Sequence, residues 1–218
     1  MDALTILPKF REWMWQTCLA GNATLPVYTV KTVPMDLDDL GTAVTGATNA
    51  TPIVVTAASH GFSNGQLVYG GNIGGNTAAN GIFKAANVTT NTLELTDPST
   101  GANVAGSGAY TSGGRVLNLS TIDFLDDIAA GIVGTAQSHV NGSYTLGVYD
   151  ADNIAFGAQA GDTCEFFASY LEFSGAANST RRVAFIHGKA SSGLPVAPTN
   201  GINLNWSNGA NKIAAIKD

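Results

Sequence analysis

Apolar positions along the chain change their period twice. In LPKFREWMWQTCLAGN, residues 7–22, Phe10, Trp13, Met14 and Cys18 recur at three- and four-residue steps. Pro8 suits a first helical position and Gly21-Asn22 supplies a stop, so the spacing predicts one helix over 8–20. VYTVKTV (27–33) is β-branched and bounded by Pro26 and Pro34, which reads as a strand. Short runs follow: IVVTA (53–57), QLVYG (66–70), GIFKAANV (81–88) and TLELT (92–96), broken by Asn-Gly and Gly-Gly turns. That pattern predicts a small antiparallel β module. Beyond it, IDFLDDIAAGIV (122–133) reads as a short helix or turn beside a strand. CEFFASYLEF (164–173) is apolar on both faces, as a central strand between packed layers would be. INLNW (202–206) alternates, with Ile202, Leu204 and Trp206 on one face and Asn203 and Asn205 on the other. The fold class expected is mainly β: an antiparallel β-sandwich or jelly-roll-like body with one N-terminal helix and a small all-β inserted domain.

Composition narrows the function classes. The chain has 218 residues, 44% hydrophobic and only 12% charged, about half the usual share of charge. Polarity comes instead from Gly, Asn, Thr and Ser. Intrinsic disorder, which needs high charge and low hydrophobicity, is not expected. With 10 Lys+Arg against 16 Asp+Glu the net charge is −6, a poor match to a nucleic-acid backbone or an anionic membrane. No apolar run has the length of a membrane span, and MDALTILPKFREWMW lacks the pattern of a secretory signal. Cys18 and Cys164 stand far apart, and two unpaired thiols is the simpler expectation, with a single disulfide as the alternative.

Candidate chemistry is sparse. His60, His139 and His187 form no HExxH, HxH or Cys/His cluster, so no metal is expected. Asp36, Asp38 and Asp39 lack the ligand series and closing Glu of a calcium loop and read as a solvated acidic turn. Gly70, Gly71, Gly74 and Gly75 lie between two strand runs rather than before a helix, so they read as turn glycines and not as a dinucleotide fingerprint. No G-x-S-x-G or P-loop motif occurs. Asp150, Asp152, Glu165 and Glu172 are dense enough to raise a glycosidase pair, but nothing in the sequence sets two of them across a cleft. The expectation is a non-enzymatic protein without catalytic residues or cofactors.

Four ordered cues carry a resemblance. They are GVYDAD (147–152), the strand after a small-residue turn at Thr180–Ile186, GLPVAP (193–198), and LNWSNGANKI (204–213). Together with FLDDIAAGIV (124–133) and the N-terminal helix, this series resembles tailed-phage structural proteins, among them capsid decoration, or cement, proteins. The central segment resembles a small β module recurrent in phage virion proteins and distantly like a domain of ubiquitin-activating enzymes, without an adenylation motif or catalytic cysteine. Shorter members of the family run from the acidic segment almost directly into the FLDDI-like one. The resemblance therefore implies a discontinuous body, 1–42 plus 116–218, with the module at 43–115 inserted. Ser207 departs from the family's common acidic residue after the tryptophan, and the approach at 142–147 is shortened.

The resemblance implies a protein made in the host cytoplasm and mounted on the virion's capsid exterior. There it would bind the major capsid protein and itself, as a dimer or trimer, and stabilise the head. Neither nucleic acid nor membrane is an expected partner, while host-surface glycans are a candidate partner for the module, through loops near Tyr69 and Tyr110. Low charge suits such a role, since interface cores are depleted in Lys, Glu and Asp. The expected interface residues are Phe10, Trp13 and Trp15 of the helix, with Arg181 and Arg182 as hydrogen-bonding contacts to capsid carboxylates. The alternative is a tail-tip or fibre component whose module binds carbohydrate.

Overall fold

The computed structural model describes residues 5–19, 28–145, 148–158, 162–172, 177–188, 194, 196–197, 201–204 and 214–215. The fold is mainly β, with antiparallel sheets and one short α-helix near the N-terminus. Two compact units are present: Met1–Asp36 with Asp123–Asp218, and Leu37–Ile122.

The first unit opens with β1 (Thr5–Ile6), α1 (Pro8–Leu19) and β2 (Thr29–Met35). The second contains β3 (Thr42–Ala43), β4 (Gly46–Ala47), β5 (Val54–Thr56), β6 (Leu67–Gly71), β7 (Gly81–Ala86), β8 (Thr92–Thr96) and β9 (Arg115–Asn118). The chain then returns with β10 (Gln137–Ser138), β11 (Ser143–Thr145), β12 (Val148–Asp150), β13 (Ile154–Gly157), β14 (Phe166–Glu172), β15 (Arg182–His187), β16 (Ile202–Leu204) and β17 (Ala214–Ala215).

In the first unit the main sheet runs β1-β15-β14-β2-β10, beside the smaller sheets β11-β12-β17 and β13-β16. β14 is central and Phe166–Tyr170 are all buried, which explains a segment apolar on both faces. Phe156 of β13 stacks on Phe167 of β14 with ring centroids 5.3 Å apart, laying the β13-β16 pair over that face. Ile202 and Leu204 point inward and Asn203 outward, while Trp206 lies outside the described residues.

β2 continues through Pro34, where the sequence placed its end. A strand residue's N–H and C=O point to the same side, and the Pro34 carbonyl accepts from Val133 N at 3.2 Å. The missing donor therefore faces that side, and pairing of Pro34 with Phe167 on β14 loses nothing.

The second unit is a seven-stranded sheet, β3-β9-β6-β7-β8-β5-β4, curled into a half-barrel around its own core of Ile53, Val55, Val68, Ile73, Leu93 and Leu95. β7 and β8 alternate, with Phe83, Ala85, Leu93 and Leu95 inward and Lys84 outward. β9 pairs with both β3 and β6, so Val116, Leu117 and Leu119 are buried here, beyond the module end at 115 that the resemblance implies. Gly70 and Gly71 belong to β6, leaving Gly74 and Gly75 in the turn. Of the acidic turn, Asp38 and Asp39 are exposed, but Asp36 is only 3% exposed and its amide bonds Gly131 O at 2.7 Å.

Candidate interaction surface

The outer edge of β15 is shared by two segments. Leu7 N donates to Ala184 O at 2.9 Å beside the β1 pairing, and at the other end Asp123–Leu125 runs antiparallel to Arg181–Val183. There Leu125 N bonds Arg181 O at 2.9 Å and Val183 N bonds Asp123 O at 3.0 Å. Asp127 fixes this approach: its Oδ2 accepts the Asp123 and Phe124 amides at 2.8 and 2.9 Å, opening the 3-10 turn Leu125–Gly131. Phe124 and Arg182 are consequently opposite each other across a β-bridge.

The Arg182 guanidinium sits 4.6 Å from the Phe124 ring centroid and 5.4 Å from that of Trp13, and it forms an ion pair with Asp123. Each such ring contact contributes about 0.5–2 kcal/mol, and the planar guanidinium suits the stack better than lysine would. Trp13 in turn touches Phe10 at 5.6 Å and meets Tyr28 edge-on at 5.9 Å. Trp13, Tyr28, Phe124 and Arg182 are half-buried, and with Leu171, Ser179 and Thr180 they line an open hollow of about 180 Å³. A second hollow of about 200 Å³, lined by Lys9, Glu12, Trp13, Asp123 and Arg182, adjoins it. Both are smaller than the roughly 300–1,000 Å³ that encloses a small-molecule ligand. Half-exposed Trp, Tyr and Arg in one patch instead have the composition of a protein-binding hot spot.

The residues expected from sequence separate into three groups. Trp13 and Arg182 are brought together at the hollow, and Phe10, 9% exposed, supports Trp13 from beneath. Arg181 lies on the opposite face of the sheet, over the Tyr170 ring at 5.8 Å, bonded to Asn178 Oδ1 at 2.7 Å and paired with Glu172. Lys31 also pairs with Glu172. Burial raises that carboxyl's pKa, but the hydrogen bond from Lys31 and the charges of Arg181 and Lys31 outweigh it and hold the group below the usual carboxylate range. The Trp15 side chain lies outside the described residues. Sequence reasoning missed Tyr28, Phe124 and Leu171 as members of the patch; the signal available was Phe124 in the FLDDI run, but nothing in the sequence pairs it with Arg182.

Several other reactive side chains are held by hydrogen bonds or burial. Thr32 Oγ1 lies 2.7 Å from His139 Nε2 and 2.6 Å from Ser169 Oγ, which is 3.4 Å from His187 Nε2. Ser169 and Thr32 are fully buried, and the run ties β2, β14, β15 and His139 together. Burial holds the His139 imidazole at about 4. The same cause, with the nearby His139 charge opposing protonation, holds His187 at about 3. His60 accepts the Phe62 amide at 3.0 Å through Nδ1 and bonds Thr92 O at 3.3 Å through Nε2, pinning a turn of the second unit. Cys164 is buried and free, its thiol pushed up to about 12 by burial, so it is a poor nucleophile. Of the dense carboxylates, Glu172 is held by two cations, Glu165 is buried and Asp152 bonds Asn141 at 2.7 Å on the surface.

No family model matches the chain, and no curated protein matches it.

Proposed function

We propose that this chain is a non-enzymatic virion protein that decorates the outside of a tailed-phage capsid and stabilises the head. The observation that carries the reading is the open patch of Trp13, Tyr28, Phe124 and Arg182 on the first unit. Its aromatic rings are held rigid by an arginine already paired to Asp123, so docking a partner costs little side-chain entropy. The ordered motifs of the C-terminal half and the helix supply the link to capsid decoration proteins. In this role the major capsid protein covers the hollow, and repetition of that contact by capsid symmetry multiplies a modest interface into shell stability.

Ser179 lines the hollow and is exposed. Ser179→Trp fills the hollow without touching the core. Heads lacking the protein, incubated with it and sedimented, are expected to bind the wild-type chain and to lose about 2 kcal/mol of affinity, roughly thirtyfold, with the variant. Equal binding by both chains would contradict the assignment of this face.

A further inference from the structure

Asparagine followed by glycine is chemically fragile, because an unbranched glycine lets its backbone nitrogen reach the neighbouring side-chain carbonyl. Among the described residues the chain has three such pairs, Asn64-Gly65, Asn80-Gly81 and Asn141-Gly142; Asn200 and Asn208, which also precede glycines, lie outside them. The three differ in whether the reacting groups are available.

Asn80 is locked: its Oδ1 accepts Ile73 N at 2.7 Å, its Nδ2 donates to Ile73 O at 2.9 Å, and Gly81 is buried in β7 opposite Gly70. Asn64 is exposed, but the Gly65 nitrogen that must attack donates to Ala85 O at 2.8 Å, and Asn64 Oδ1 accepts Val88 N at 2.9 Å. At the third pair Asn141, Gly142 and Ser143 are all exposed, and the Gly142 nitrogen has no hydrogen-bond partner among the described residues. Asn141 Nδ2 donates to Asp152 Oδ2 at 2.7 Å, a surface contact that leaves the side-chain carbonyl carbon open.

We infer that Asn141 is a site of spontaneous deamidation in the folded protein and that it converts ahead of Asn64 and Asn80. The Gly142 nitrogen loses its proton and bonds to Asn141 Cγ; the Cγ–Nδ2 bond breaks and ammonia leaves, closing a succinimide. Water then adds to either ring carbonyl and the ring C–N bond breaks, giving aspartate or isoaspartate. One water is consumed, one ammonia is released and nothing is oxidised. The product places a new negative charge beside Asp152 in place of the hydrogen bond between them.

The test is incubation of the full-length protein at pH 8 and 37 °C, followed by proteolysis and mass spectrometry of the three peptides. Breaking the Gly65 bond, or the two Asn80 bonds, before reaction gives Asn141 an expected lead of at least about tenfold, equivalent to about 1.4 kcal/mol of barrier. In a urea-unfolded sample the three rates converge, and Gly142→Ala slows conversion at residue 141 alone. Conversion of Asn64 or Asn80 as fast as Asn141 in the folded chain overturns the inference. So does an Asn141 left intact after the unfolded sample has reacted.

Discussion

His139 and His187 titrate in the opposite sense to a histidine that gains an anionic partner. Unfolded, both imidazoles protonate near 6.5; folded, burial holds them at about 4 and about 3. Between those values the unfolded chain binds more protons than the folded one, so this contribution is complete above about pH 6.5 and is lost as pH falls. Between pH 7 and pH 5 each histidine removes about 2 kcal/mol of stability. Chemical denaturation at those two pH values is expected to show a combined loss of about 4 kcal/mol from the pair, reduced to about half in His187→Gln, whereas an unchanged loss in the variant contradicts the buried, neutral assignment. The three histidines were plain in the sequence. Their grouping was not legible, because Thr32, His139, Ser169 and His187 meet only through the register of three strands. Phe124 was invisible as a site residue for the same reason: its bridge to Arg182 joins segments 58 positions apart.

At the scale of elements, alternation was a reliable guide where one face is wet. β7, β8 and β16 follow their period-two patterns, and the doubly apolar β14 lies between two neighbours. Proline was a poorer guide at Pro34, because its cost depends on which side the lost donor faces. The glycine run was legible as lying between two strands but not in its division between strand and turn. Gly75 has φ +78°, and a Cβ there would stand 2.0 Å from Ala109 O; Gly101 has a similar φ of +73° but open space around it. Gly101→Ala therefore bears only the left-handed penalty of about 1 kcal/mol. Gly75→Ala adds a backbone collision, for an expected loss of about 3 kcal/mol or more. Urea midpoints of the two variants separate these contributions, and equal losses would show that the Ala109 approach is not tight.

For the whole molecule, charge is divided unevenly between the two units. Asp38, Asp39, Lys84, Glu94, Asp97 and Arg115 are the only charged side chains of the Leu37–Ile122 unit, while the other unit carries the remainder, including Arg182 at the aromatic patch. The bounds at 43 and 115 that the resemblance implies lie inside the packing boundaries at Asp36 and Asp123, where β3 and β9 pair with the rest of the module. The proposed function rests on a resemblance of ordered motifs, and the patch offered in its support is assembled from α1, β14, β15 and the Asp123–Leu125 segment, which no single stretch of sequence displays. The proposed role has a numerical consequence, since a protein bound to each repeated site of a shell must be as abundant as the sites themselves. Quantitative mass spectrometry of purified virions, scaling this chain to the major capsid protein, tests that most directly: a decoration protein approaches the copy number of the capsid subunit, and a count of tens or fewer per virion contradicts the account.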